Sequence, residues 1–417
     1  MQRYDAVVVG AGAAGLLCGG LAARSGLRVL ILEHSDRPGR KLMITGKGRC
    51  NLTNDCDPDA FLRKVRTNPR FLYSALNAFP PRQTMAFFEE LGVPLKTERG
   101  GRVFPVSDRS LDVVAALVAF ATESGAELLR ADCRRITLRD DRAAGVQCAG
   151  GQSFEAGAVV VATGGKSYPR TGSDGSGYRL AQGAGHTVIP PRPSLVPIET
   201  AEDWCAQLAG LSLKNVTLTL HKAGARRPVY SELGEMLFTH FGVSGPLVLT
   251  ATSYMQTVKG FHLTIDLKPG LTHQQLDARL LRDFEARLNK NLANSLDELL
   301  PKSLIPVVIQ LSGIAADTKI NQLTRQQRQG LCDLIKALPV TPRALRPVEE
   351  AVVTAGGVAV NELDPRTMQS KLVQGLYFAG EVIDVDATTG GYNLQIAFST
   401  AYLAAQALVN GADAAVQ

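Results

Sequence analysis

A strand, a glycine turn and a helix open the sequence, and that junction restricts the fold more than any other stretch of the 417 residues. Gly10-Ala11-Gly12-Ala13-Ala14-Gly15 follows the apolar run YDAVVVG and begins AAGLLCGGLAARSG, after which RVLILE reads as a second buried strand. Parallel strands joined by a crossover helix are the unit of a doubly wound sheet. In a G-x-G-x-x-G so placed, the first glycine makes the turn and the second lets the backbone approach a pyrophosphate. The third permits close helix–strand packing. The helix N-terminus, with Ala13 and Ala14 in its first turn, offers N–H donors and partial positive charge to phosphates. Glu33 ends the second strand, where a carboxylate can accept both ribose hydroxyls of a dinucleotide.

The same stretch imitates a membrane helix. Residues 6–23 carry no charge, and Gly15-xxx-Gly19 has the form of a membrane-helix pairing motif. Its glycines and its division into strand, turn and helix argue against a span, and no basic n-region with a cleavage site is present. Seven cysteines without regular spacing, no CxxC and no Cys/His cluster point to a reducing cytoplasm and no structural metal. Lys+Arg exceed Asp+Glu by 45 to 39, a formal charge of +6. That excess suits a solvated surface or an anionic partner such as RNA. The run FLRKVRTNPRF (61–71) concentrates Arg63, Lys64, Arg66 and Arg70, and both readings stay open there.

Further along, QTMAFFEELG is a short amphipathic helix, and Arg99-Gly100-Gly101-Arg102 marks a hairpin. Ser110 is expected to cap LDVVAALVAFATES. AGAVVVATGG returns to the sheet. Proline-rich stretches near 190–197 and 337–350 look like the two strands of a hinge into an inserted domain. Within it NVTLTLHKAG and GFHLTIDLKPG alternate as antiparallel strands, and Leu276, Leu280, Phe284, Leu288 and Leu292 recur every four residues as one helix face. The expected plan is an α/β fold. A split Rossmann-like cofactor domain covers 1–190 and 346–417, and a β-rich insert covers 191–345 with a helical segment at about 271–340.

The glycine fingerprint does not separate NAD from FAD; the other end of the chain does. Leu376-Tyr377-Phe378-Ala379-Gly380-Glu381 has the strand-then-Gly-acid form seen where a flavin's ribitol and pyrophosphate are gripped. Gly390-Gly391-Tyr392-Asn393 opens a second helix, whose N-terminus can stabilise charge at the pyrimidine edge of a reduced flavin. No second G-x-G-x-x-G provides a separate nicotinamide domain.

GAGAAG, GRKLMITGKGRCNLTN (39–54), VATGG (161–165), TGSDGSGY (171–178), LFTHFGVSGPLVL (237–249), TAGGV (354–358) and FAGEVIDVDATTGGYN (379–393) stand in one order along the chain. In this the sequence resembles the BaiN/RdsA family of FAD-dependent oxidoreductases, of the glutathione-reductase-like FAD superfamily. The resemblance implies non-covalent FAD, held at its adenosine half by Gly10, Gly12, Gly15 and Glu33. It implies Thr45, Gly46, Arg49, Cys50 and Asn51 along the flavin, and Gly380, Glu381, Gly391, Tyr392 and Asn393 over the ribitol and ring. Arg40, Lys41, Thr163 and Gly164, from the same motifs, complete the candidate cofactor contacts.

Two residues are candidates for catalysis. Cys50 either protonates a substrate carbon after hydride delivery or is a small packed residue. His240 is either an acid or anion binder of the insert or a hydrogen-bonded structural histidine. The resemblance points to reduction of activated C=C bonds with NAD(P)H as the transient reductant. The expected substrate is uridine C5–C6 in 23S ribosomal RNA, giving dihydrouridine. The alternatives are a small-molecule enone reductase or amine oxidase, and a non-catalytic flavin-binding regulator.

Overall fold

The computed structural model describes residues 3–416. The chain forms two compact units, one of Met1–Ser194 with Pro347–Gln417, the other of Leu195–Arg346. Among the described residues no helix is long and apolar enough to cross a membrane.

The first unit is built on a seven-stranded sheet. Glu127–Arg130, Val29–Glu33, Arg3–Val9 and Ser153–Val161 run parallel in that order, and Leu376–Phe378 lies parallel to Ser153–Val161. Arg142–Cys148 and Cys133–Arg139 extend the sheet antiparallel. The central strands are near-continuous apolar runs because helices cover both faces. Helix Ala13–Arg24 is itself buried along most of its length, which its small residues allow. The hairpin at 99–101 joins Leu95–Glu98 to Arg102–Pro105, and Thr53–Asn54 adds a third strand there.

The second unit has its own core around a seven-stranded antiparallel sheet in which Ser212–Lys222 pairs with both Tyr230–Thr239 and Phe261–Asp266. Helices His273–Glu285 and Arg325–Lys336 each begin with a capping box, Thr272 with Gln275 and Thr324 with Gln327. Each pair satisfies two orphan N–H groups at a helix start.

Two sequence expectations need correction. The four-residue recurrence from Leu276 to Leu292 is not one helix. The helix ends at Glu285, Leu288 is half exposed, and Leu292 begins a separate 3-10 turn. Leu276, Leu280 and Phe284 do form the buried face of that helix, and the recurrence of four continues past its C-cap at Ala286. Ser110 is the first helical residue rather than the cap; its hydroxyl donates to the Met43 carbonyl at 2.6 Å.

One buried network in the first unit ties distant segments and carries a pH dependence. The Ser370 hydroxyl accepts from Leu372 N–H (3.0 Å) and Val373 N–H (2.8 Å), so its own hydrogen goes to His186 Nε2 at 2.8 Å. His186 Nδ1–H therefore donates to Glu362 Oε2 at 3.0 Å. Burial pushes the imidazole pKa down, against the opposing pull of Glu362. A folded pKa below the unfolded value means the unfolded chain takes the proton first. The stabilisation is complete above the unfolded histidine pKa of about 6.5 and is lost as pH falls through it. Urea unfolding from about pH 7 to about pH 5 should show stability falling, with this proton contributing at most about 1.4 kcal/mol per pH unit. His186→Asn should remove that share of the slope; the same slope in variant and parent would show that His186 does not titrate on unfolding.

Candidate functional site

The glycine turn has the three properties its spacing requires. Gly10 has φ +104°, and a Cβ on it would lie 2.6 Å from the Ala162 carbonyl oxygen of the neighbouring strand. A Cβ on Gly15 would lie 1.8 Å from the Gly10 oxygen, so helix and turn close on each other only without a side chain there. At Gly12 nothing stands within 4 Å of a Cβ. Gly12 is the N-cap of helix Ala13–Arg24, and no side chain caps that helix. An uncapped helix start under open space is what an incoming phosphate group needs.

Glu33 is fixed beside this turn. Its Oε2 accepts from Ala11 N–H at 2.9 Å, and its Oε1 accepts from Ser35 N–H at 2.8 Å and the Ser35 hydroxyl at 2.6 Å. Oε2 keeps capacity for a further donor. Gly172, with φ +106°, lies against it; a Cβ there would be 3.6 Å from the His34 ring and 3.9 Å from Glu33 Oε1. That approach of the 171–175 loop was not singled out from sequence.

The loop 39–54 and the chain's second end are bound to each other. Lys41 Nζ donates to Glu381 Oε2 at 2.6 Å and to Ser167 Oγ at 2.7 Å. Glu381 Oε1 accepts from Thr354 N–H at 2.8 Å and from Ser167. Arg40 pairs instead with Asp36 at 3.1 Å. Asn51, with its amide oriented to satisfy its neighbours, accepts from Gly391 N–H at 3.0 Å and donates to Thr53 and Val103 carbonyls. Asn54 donates to the Gly390 carbonyl at 3.0 Å, and Thr53 donates to Gln395 Oε1 at 2.6 Å. Gly391 is pressed against Thr53, whose oxygen would sit 2.2 Å from a Cβ. The loop thus seats the first turn of the last helix. Tyr392 meets Phe61 edge to face at 5.1 Å, and Asn393 bridges the Ala387 N–H and carbonyl, both at 2.9 Å.

Backbone and small groups, rather than charged side chains, remain for a ligand. Thr45 turns its hydroxyl onto the Leu42 carbonyl, while Gly46 and Lys47 run left-handed. Arg49 is engaged by Glu98 and Asp108 and lies over the Phe104 ring at 4.1 Å. Cys50, at φ +60°, has no exposed surface, and burial pushes its thiol up to about 12. The Thr163 hydroxyl is buried with no hydrogen-bond partner, beside left-handed Gly164. An orphaned hydroxyl there and the open space over Gly12 fit a polar group that the protein alone does not supply. Gly380, at φ +78°, abuts Ala14, where a Cβ would be 3.1 Å away.

The first unit therefore brings together the glycine turn, Glu33, loop 39–54, Thr163–Gly164 and residues 380–393. His240 belongs to the second unit, exposed on the two-residue turn between Tyr230–Thr239 and Gly242–Ser244, its ring against Phe241. The sequence reading does not single out Asp384 and Asp386, which are both buried. The alternation in VIDVDA was their only signal, and it equally describes a strand with one wet face.

Comparison with known proteins identifies the family. A family model for the HI0933-like protein Rossmann domain matches residues 4–407. The ribosomal RNA dihydrouridine synthase of Escherichia coli (strain K12) is 35% identical over 413 residues, covering 98% of this chain and 99% of that protein. The 3-dehydro-bile acid delta(4,6)-reductase of Clostridium scindens is 33% identical over 417 residues, covering 96% and 98%. Among solved structures, the 3-ketosteroid-delta4-(5alpha)-dehydrogenase of Rhodococcus jostii RHA1 superposes with a TM-score of 0.54 at 16% identity, over 98% of this chain and 97% of that one. Sequence motifs, fold and near-complete coverage agree: the chain belongs to the HI0933-like Rossmann family of FAD-dependent oxidoreductases.

Proposed function

We propose that this oxidoreductase reduces the C5–C6 double bond of a uridine in 23S ribosomal RNA to dihydrouridine, with NAD(P)H as reductant. The observation that carries the reading is end-to-end similarity to a protein named for that reaction. The bile acid reductase relative favours a second reading, a small-molecule enone reductase. The two share one chemistry, since uracil C5–C6 is conjugated to the C4 carbonyl as an enone's double bond is to its own.

Bound FAD supplies hydride transfer at N5. Gly12, Ala13 and Ala14 would present backbone N–H groups to the pyrophosphate, and Gly10 and Gly15 keep the turn tight enough for that approach. Glu33 would take a ribose hydroxyl on Oε2. The Thr163 hydroxyl and the Gly164 backbone would offer further contacts. Thr45, Gly46 and the backbone of Arg49, Cys50 and Asn51 would lie along the ring. Lys41 would act through Glu381, while Arg40 is tied to Asp36. Gly380 would give the ribitol room, and the helix start at Gly391, Tyr392 and Asn393 would stabilise negative charge on the pyrimidine edge. Of the two candidate proton donors, Cys50 has no exposed surface and burial pushes its thiol up to about 12, which leaves His240 as the residue to test.

For RNA, Arg63 and Arg70 are the exposed members of the basic run, while Lys64 and Arg66 are half-buried. They would meet phosphates and make binding salt-dependent.

Four outcomes are expected. Gly12→Ala should fold with unchanged thermal stability as apoprotein, because its φ of −87° suits alanine and nothing stands near its Cβ. It should bind FAD at least about tenfold more weakly, the equivalent of about 1.4 kcal/mol, in a flavin fluorescence titration; unchanged affinity would place the pyrophosphate elsewhere. Purified holoenzyme with NADPH should form dihydrouridine in precursor 23S RNA, read by nucleoside mass spectrometry. Arg63→Glu/Arg70→Glu should weaken RNA binding and lower the salt slope by about two. No dihydrouridine alongside rapid turnover of a steroid enone would move the assignment to the second reading. His240→Asn should slow turnover about 100-fold or more, and a full rate in that variant would remove His240 from the mechanism.

A further inference from the structure

Two buried carboxyl groups, Asp384 and Asp386, lie between the Gly380–Glu381 turn and the Gly390–Gly391 helix start, and neither forms part of the cofactor contacts above. Asp386 is 1% exposed. Its two oxygens are taken by hydroxyls from opposite directions: Oδ1 accepts from Thr67, and Oδ2 accepts from Ser194 at 2.7 Å. The Asp386 carbonyl accepts from Arg66 N–H at 2.7 Å and from Thr67 N–H at 3.3 Å. Around it Val65 bridges to Ala387, and Thr388 N–H donates to the Lys64 carbonyl at 3.0 Å. Asn68 donates to the Asp384 carbonyl at 2.7 Å and to its carboxyl at 3.0 Å.

Three chain segments therefore meet at this point. One is the basic run 63–70. The second is the strand Val188–Ser194, paired with Val353–Val358, whose last residue is where the first unit gives way to the second. The third is the loop that runs into the flavin-side glycines. The first two bring hydrogen-bond donors to the aspartate that the third carries. A buried carboxylate held by hydroxyl donors is costly to maintain, and hydrophobic packing would hold the segments at less expense. What a carboxylate adds is direction: two acceptor oxygens in fixed geometry set the register of both donors at once.

We propose that Asp386 is a positioning residue that holds the basic run 63–70 and the Ser194 end of its strand in register with the 384–391 loop, so that a polyanion bound to the run is presented to the flavin side. The RNA part of this rests on the function proposed above; the positioning part does not.

The experiment compares holoenzyme with Asp386→Ala, which leaves both hydroxyls unpaired, and Asp386→Asn, which can still accept from one and donate to the other. Amide hydrogen exchange, followed by mass spectrometry, should accelerate about tenfold or more in Asp386→Ala over 64–68 and 188–194, the effect of a buried donor left without its partner. It should stay unchanged in the central strand 6–9, and Asp386→Asn should restore most of the protection. With RNA as substrate, KM should rise about tenfold in Asp386→Ala and kcat should fall less, as for a lost binding geometry. Unchanged exchange in both segments overturns the proposal, as does faster exchange spread evenly through strand 6–9, which marks a general loss of stability. Segment-specific exchange rescued by Asn, with no turnover of RNA by the parent enzyme, upholds the positioning role and overturns only the RNA reading.

Discussion

The parallel pairing of Leu376–Phe378 with Ser153–Val161 is the constraint on which the cofactor domain depends. After the second unit the chain returns to the sheet beside the strand it left. That return sets Gly380 against Ala14 and Glu381 within reach of Lys41, 340 residues away in sequence. The right-handed rule for parallel connections leaves few other ways to place the last helix. Helix Tyr392–Val416 then packs along Ala13–Arg24, so two helix starts face the same region of the first unit.

Much of the polar chemistry in these motifs serves the protein itself. Lys41 and Glu381 join the two halves of the split domain, Asn51 and Asn54 hold the start of the last helix, and Arg49 lies between two acids over an aromatic ring. A flavin site built this way relies on backbone N–H groups, glycine gaps and helix ends. Donors fixed by secondary structure lose little entropy on binding, and they stabilise charge without reorganising.

The sequence reading was strongest where a local rule decides the structure. The glycine triplet, the hairpin at 99–101 and the strand character of NVTLTLHKAG and GFHLTIDLKPG all follow from turn sterics and strand period. It failed at Ser110, where a serine at a helix start is as able to serve a distant carbonyl as to cap its own helix. It failed again at Leu288, where the recurrence of four runs on past the end of the helix at Glu285. Cys50 was left open between chemistry and packing. Its burial and left-handed backbone came from the turns around it, which composition does not record.

Local, steric signals place the start of a dinucleotide fold at Gly10 and a flavin-type motif at 379–393. The family is legible in sequence as well, since its model matches residues 4–407. Which partner each polar residue takes follows instead from the folded chain. Lys41 with Glu381, Asn54 with Gly390 and Asp386 with both Thr67 and Ser194 are separated by more than 190 residues. A pattern of spacing holds no information about contacts at that range, because they form only when packing of the apolar core brings the segments together.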